Sequence, residues 1–166
     1  PRSTQSRSSA ASDVLRDSYM KDLKKWSESN TSEELHFFWD RKNADATTNA
    51  SHNLTMHRLN DQLFLKLMTG AKAYATTGGF ESVCEAMYLN KPVLMVPTHI
   101  EQECNVMDAL RSGAGVAADS FDLDKLLEYI PHHANINDFK HWVQSAESVI
   151  LFELTAINTD TIFISI

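Results

Sequence analysis

At 166 residues, 43% of them hydrophobic and 22% charged, the chain has the size and composition of one soluble globular domain built around a single core. A net charge of −7 and a pI near 5.4 argue against a nucleic-acid backbone as partner, so an anionic ligand has to be held locally, by helix N-termini and backbone N–H groups. No run approaches the roughly 20 apolar residues of a membrane span, and the N-terminus lacks a signal-peptide apolar core.

Cys84 and Cys104 lie inside apolar patterns and read as buried, reduced thiols of a cytoplasmic protein, not as a disulfide framework. The N-x-S/T triplets beginning at Asn30, Asn49 and Asn53 matter only in a secreted protein.

In chain order, residues 1–12 (PRSTQSRSSAAS) are Ser-rich and aperiodic and read as a flexible tail or linker. From Asp13 the spacing of Val14, Leu15, Tyr19, Leu23 and Trp26 predicts a helix ending near Asn30. Residues 34–39 (ELHFFW) predict a strand, residues 40–52 a long polar loop, and residues 54–59 (LTMHRL) a second strand. Asn60 is placed to cap a helix carrying Leu63, Phe64, Leu67 and Met68 up to Gly70.

Residues 73–76 then form a strand feeding Gly78-Gly79 and a helix from Phe80 to Leu89, with Phe80, Val83, Cys84, Met87 and Tyr88 on its core side. Asn90 stands where a helix often stops on a left-handed residue, and Pro92 prevents its resumption. Residues 93–96 (VLMV) read as a strand covered on both faces. A helix opening near Glu101 and ending at Gly113, a strand at Gly115-Val116-Ala117, a helix capped by Ser120 and a last helix from Asn137 or Asp138 complete the pattern. Residues 154–166 form a C-terminal tail ending in the β-branched run TIFISI.

This alternation predicts an α/β fold, a Rossmann-like doubly wound parallel sheet flanked by helices over residues 13–153. The first helix has no strand before it, since PRSTQSRSSA is a poor strand. The first strand of the sheet is therefore expected to be missing, and the chain to be part of something larger.

In such sheets ligands bind outside the carboxyl ends of the strands. Gly78 and Gly79 let a phosphate approach the backbone, the N–H groups of Phe80, Glu81 and Ser82 point at it, and the helix dipole adds roughly half a positive charge. Glu85, one turn on, is placed to accept from ribose hydroxyls, while Glu101, Gln102 and Asn105 offer groups suited to sugar hydroxyls. The combination points to a nucleotide sugar. Each element has a blander reading: a Gly-Gly before a helix is, alone, more often a tight turn, and Glu81, Glu101 and Glu103 suit solvated first helical turns. The seven histidines lack ligand spacing, so no metal and no cofactor is expected; no base is positioned beside a cysteine or serine as a nucleophile requires.

The stretch TTGGFESVCEAMYLNKPVLMVPTHIEQECN resembles the donor-binding, C-terminal half of GT-B glycosyltransferases. It is most similar to bacterial enzymes with a T-x-G-F-E-S-x-x-E-A-x-x-x-x-K-P signature. It also resembles the UDP-glucuronosyl and plant glucosyltransferases, and more distantly the transferase that adds N-acetylglucosamine to lipid-linked muramoyl-pentapeptide. The resemblance implies that Thr77, Gly78, Gly79, Phe80 and Ser82 surround the diphosphate, Glu85 holds the ribose, Glu101 and Gln102 contact the donor sugar, and His57, Arg58 and Leu59 lie near the base. Thr77 stands where the plant and glucuronosyl enzymes carry His, and Glu81 where they carry Asn.

The implied activity is transfer from a nucleotide diphosphate sugar, with UDP the expected nucleotide, and without a metal. The catalytic residues, the acceptor site and any peripheral membrane association are expected in a separate N-terminal domain or partner subunit. A two-subunit transferase, half of a nucleotide-sugar 2-epimerase and a non-catalytic sugar-nucleotide-binding domain stand as alternatives.

Overall fold

The structure, a computed structural model, describes residues 4–40, 44–135 and 137–156. Its elements follow the order α1 (Thr4–Ser29), β1 (Leu35–Trp39), β2 (Thr47–Asn49), β3 (Leu54–Arg58), α2 (Asp61–Gly70), β4 (Tyr74–Thr76), α3 (Phe80–Tyr88), β5 (Val93–Met95), α4 (Ile100–Arg111), β6 (Gly115–Ala117), α5 (Leu123–Tyr129), a 3-10 turn (Ile130–His132) and α6 (Asn137–Ala156). The strands form two three-stranded ladders, β1-β3-β2 and β4-β5-β6. All pairs are parallel except β2 against β3.

Strand β5 shows why this sequence makes a two-faced layer. Val93, Leu94, Met95 and Val96 are all 1% exposed or less, and alternation sends them to opposite faces. Val93 and Met95 pack with Met68 of α2, Val83, Ala86 and Met87 of α3, and Val106 and Ala109 of α4. Leu94 and Val96 pack with Leu23 of α1 and Leu123 and Leu126 of α5. Each such side chain taken fully from water contributes about 2 kcal/mol, so helices on both faces fix the sheet's orientation.

Local signals set the boundaries. The Asn60 side chain accepts from Leu63 N at 2.8 Å and starts α2. Asn90, at φ 53°, ends α3 in the left-handed conformation, with Lys91 N bonded to Ala86 O at 2.8 Å and Asn90 N to Met87 O at 3.0 Å. Gly113, at φ 74°, closes α4 the same way, through Ala114 N to Ala109 O at 3.0 Å. These compact stops return each helix directly to the next strand and bring the strand ends that carry the site into line.

The structure departs from the sequence expectations at several places. Helix α1 begins at Thr4, ahead of Asp13: the Ser- and Ala-rich residues there hold no helix breaker, though they offer no apolar face. The polar loop contains β2, whose three residues are all exposed and are held as a strand only by pairing with β3. Asp122, not Ser120, caps α5, accepting from Lys125 N at 3.0 Å. Phe80 is 66% exposed, because the first turn of α3 stands beyond the last residue of β4 and past the end of the core. Cys104 is exposed on α4 and Cys84 only half-buried, so the two thiols are not both core residues. The run TIFISI lies outside the described residues. Among the described residues, no helix is long and apolar enough to cross a membrane.

Candidate functional site

The carboxyl ends of β4 and β5 converge on the start of α3. After Thr76 the chain turns through Gly78, at φ 85°, a conformation that glycine adopts without strain. A Cβ on Gly78 would lie 2.7 Å from Val106 Cγ2, so α4 packs directly against this turn. The Thr76 hydroxyl accepts from Gly78 N at 3.3 Å, and Asn105 Nδ2 donates to Gly78 O at 3.3 Å. The loop is thus gripped from below by β4 and from the side by α4.

Gly79 is the N-cap of α3 and supplies no side-chain cap. The first N–H to bond inward is that of Val83, to Gly79 O at 3.2 Å. The N–H groups of Phe80, Glu81 and Ser82 consequently point out of the helix start. Ser82 Oγ donates to Gly79 O at 3.2 Å and lies 3.5 Å from Thr76 Oγ1. Three backbone donors and a nearby hydroxyl at a positive helix end suit an anion without any cationic side chain.

Gln102 ties this loop to the next. Its Oε1 accepts from Thr98 N and from Thr98 Oγ1, each at 2.8 Å, and its Nε2 donates to Thr77 Oγ1 at 3.1 Å. Glu101 is exposed in the first turn of α4, beside the exposed Ile100.

The flank of α3 is acidic. Burial, then the charges of Glu81 and Asp61, push the Glu85 carboxyl above its ordinary pKa. Asp61, which opens α2, is the last of these contributors. The tip of the helix suits an anion and its flank suits hydroxyl donors, a separation of chemistry along one helix. The Tyr74 hydroxyl beneath them is pushed up chiefly by burial, against its hydrogen bonds to Ser82 and Thr76. Burial and Glu85 likewise raise the Cys84 thiol, which leaves it protonated and a poor nucleophile.

The three residues expected near the base are disposed differently. Arg58 and Leu59 are exposed at the carboxyl end of β3. His57 is 5% exposed, with Nε2 at 3.0 Å from His36 Nδ1, Nδ1 at 3.2 Å from Thr47 Oγ1, and Phe38 stacked at 4.9 Å. This imidazole pair and the Asn105 contact were not legible in sequence, because both depend on strand and helix register. The alternation within LTMHR offered the one hint for His57, placing it on the face opposite Arg58. Among the described residues, no three His, Cys, Asp or Glu side chains converge as a metal site requires.

The His pair gives the fold a pH signature. Burial and the neighbouring His36 hold the His57 pKa below 6.5, so the folded state resists a proton that the unfolded chain takes up. The contribution of His57 to stability is therefore full above pH 6.5 and is lost as pH drops towards the lowered folded value. Urea midpoints measured between pH 7.5 and 5 are expected to fall for the native chain and to fall less for His57→Gln.

Two comparisons place this geometry among known proteins. A family model described as "Glycosyl transferase family 1" matches residues 20–132, a span from within α1 to the 3-10 turn that includes every candidate site residue. A solved structure titled as the glycotransferase of kitacinnamycin is similar in fold, with a TM-score of 0.54 at 14% identity over 74% of this chain and 43% of that one. The chain thus spans less than half the length of that protein. No curated protein matches the sequence. With most of its length matched, and with a Rossmann-like half of a glycosyltransferase fold, the chain belongs to glycosyl transferase family 1.

Proposed function

We propose that this domain holds the nucleoside-diphosphate end of a nucleotide-sugar donor, a UDP-sugar, in a glycosyltransferase whose acceptor and catalytic residues come from another domain or subunit. The observation that carries the reading is the uncapped start of α3, where the N–H groups of Phe80, Glu81 and Ser82 point outward beside an acidic flank. The diphosphate sits against Thr77, Gly78, Gly79, Phe80 and Ser82. Glu85 accepts from the ribose hydroxyls. The base lies over Arg58 and Leu59, with His57 behind them in the sheet, and the sugar reaches Glu101 and Gln102. During transfer the backbone donors and helix dipole stabilise the departing nucleoside diphosphate, the charge that develops as the glycosidic bond breaks. Family membership and the fold support a glycosyltransferase; UDP, the hexosyl class and a cytoplasmic site of action belong to this proposal.

Titrating the chain with UDP is expected to raise its melting temperature and to shift the amide resonances of residues 80–82. An intact fold with no response at millimolar UDP would reject the reading. Glu85→Ala removes a charged acceptor and is expected to weaken UDP binding about ten- to hundredfold. Protonation has the same effect, so affinity declines in acid, and the raised Glu85 pKa starts that decline closer to neutrality. Unchanged affinity in the variant would remove Glu85 from the site.

A further inference from the structure

We infer that Glu34, His36, His57 and Thr47 form one directed hydrogen-bond relay that holds β2 on the sheet, and that β2 is released when both imidazoles carry a proton. This inference stands independently of donor binding.

Strand register assembles the relay. Arg58 N donates to Ala46 O at 3.1 Å and Ala50 N to Leu54 O at 2.8 Å, so antiparallel alternation makes Thr48 and Met56 the bonded pair between them. Thr47 and His57 are then an unbonded pair, the kind that brings opposite side chains closest, and Thr47 Oγ1 lies 3.2 Å from His57 Nδ1. On its other side β3 runs parallel to β1, and His57 Nε2 lies 3.0 Å from His36 Nδ1. The ring centroids are 5.2 Å apart, so these two nitrogens meet nearly head-on. A metal ion shared by both rings needs lone pairs that converge to one side. Here they point at each other, as a hydrogen bond requires.

The charge at one end fixes the direction. Glu34 Oε1 lies 3.6 Å from His36 Nε2, and a carboxylate only accepts. The proton of neutral His36 therefore sits on Nε2, facing that charge, and its Nδ1 accepts. His57 Nε2–H donates to it, and His57 Nδ1 in turn accepts from the Thr47 hydroxyl. One added proton completes an imidazolium on His36 and reverses the direction. His36 Nδ1–H then donates to His57 Nε2, His57 Nδ1–H donates to Thr47 Oγ1, and the hydroxyl hydrogen turns away. A second proton leaves two N–H groups of like charge facing each other across the 3.0 Å gap, with no lone pair for either.

β2 is the element that yields. Its residues are all exposed, it carries no apolar or ionisable side chain, and Thr47 ties it to a buried group. Its other side-chain bond, from Thr55 Oγ1 to Asn49 Oδ1 at 3.3 Å, is exposed. The charges around the relay leave this outcome to the imidazoles. Arg58 lies on the opposite face by strand alternation, Asp40 and Asp45 are exposed after β1 and before β2, and Asp61 of α2 acts on Glu85. Towards α2 the contact is aromatic, with Phe38 stacked on His57 and 5.2 Å from Phe64. Burial and His36 make the folded His57 resist a proton, so acid favours a state in which β2 has left and water reaches the ring. Because Ala46 O holds Arg58 N, release of β2 also frees the backbone at the carboxyl end of β3.

The test follows imidazole nitrogen shifts and amide protection in the 166-residue chain between pH 7.5 and 5. At pH 7.5 both rings are expected to show the Nε2–H tautomer. On acidification, protection at Thr48, Ala50 and Arg58, corrected for intrinsic exchange, is expected to fall by up to about tenfold per pH unit for each proton taken up, while Val93 and Val96 keep theirs. His57→Gln is expected to abolish this pH dependence. Thr47→Val is expected to lower the protection of β2 at pH 7.5 about two- to tenfold, and Thr47→Ser to restore it. A proton on His57 Nδ1 at pH 7.5 would overturn the inference. So would β2 protection that holds down to pH 5, falls only in step with Val93 and Val96, or keeps its pH dependence in His57→Gln.

Discussion

Gly115→Ala is expected to destabilise the domain by more than about 3 kcal/mol. Gly115 pairs with Val93, and a Cβ built on it would lie 1.8 Å from Val93 O and 2.6 Å from Val93 C. The obstacle is the backbone of a strand with no exposed surface, so no side-chain rotation relieves it. The β6 strand must move away, and the pairs Leu94–Val116 and Met95–Ala117 weaken with it. Urea unfolding measures the loss, and Gly70→Ala is the control. No atom lies within 4 Å of a Cβ at Gly70, and a change there is expected to be neutral or stabilising by up to about 1 kcal/mol. Equal stability of Gly115→Ala and the native chain would mean that β6 does not pair as described.

Gly78→Ala is expected to act on stability and on binding together. The left-handed φ of 85° costs alanine about 1 kcal/mol, and contact with Val106 at 2.7 Å adds about 1–2 kcal/mol of crowding. Because Gly78 O is held by Asn105 and its neighbour Thr77 by Gln102, a shift here carries the N–H donors of α3 with it. UDP affinity is expected to fall at least about tenfold. Gly79→Ala separates the two effects. Its φ of −61° is ordinary and its added Cβ would meet only Ser82 Oγ, at 3.8 Å, so stability is expected to change by less than about 1 kcal/mol. A loss of UDP affinity at Gly79→Ala then reports a methyl group between backbone and ligand. If Gly78→Ala bound UDP normally, the α3 start would not be the diphosphate site.

The sequence was most informative where one residue type has one structural use. Asn60 as a cap, Asn90 and Gly113 as left-handed helix stops, and β6 at Gly115–Ala117 stand where the pattern put them. The VLMV run became a strand covered on both faces because branched side chains on alternate faces leave few other ways to be buried. What escaped notice depends on partners distant in the chain. β2 has no apolar side chain and is a strand only opposite β3. His57 belongs to a motif expected near the base, yet strand register turns it inward against His36. The single sheet expected from alternation is divided among the described residues into two three-stranded ladders, β1-β3-β2 and β4-β5-β6.

The Gln102 clasp has a consequence for selectivity. Its carbonyl oxygen already serves two donors from Thr98 and one of its two N–H bonds serves Thr77, so a single N–H remains uncommitted. A ligand hydroxyl that engages this amide either takes that last donor or displaces a threonine. On the proposed reading, recognition at this position is a substitution among hydrogen bonds, in which two ligands differing by one hydroxyl configuration are compared through the bonds each releases between the loops after β4 and β5. Any ligand that opens the clasp loosens the Thr77 turn, and with it the start of α3 that is proposed to hold the diphosphate.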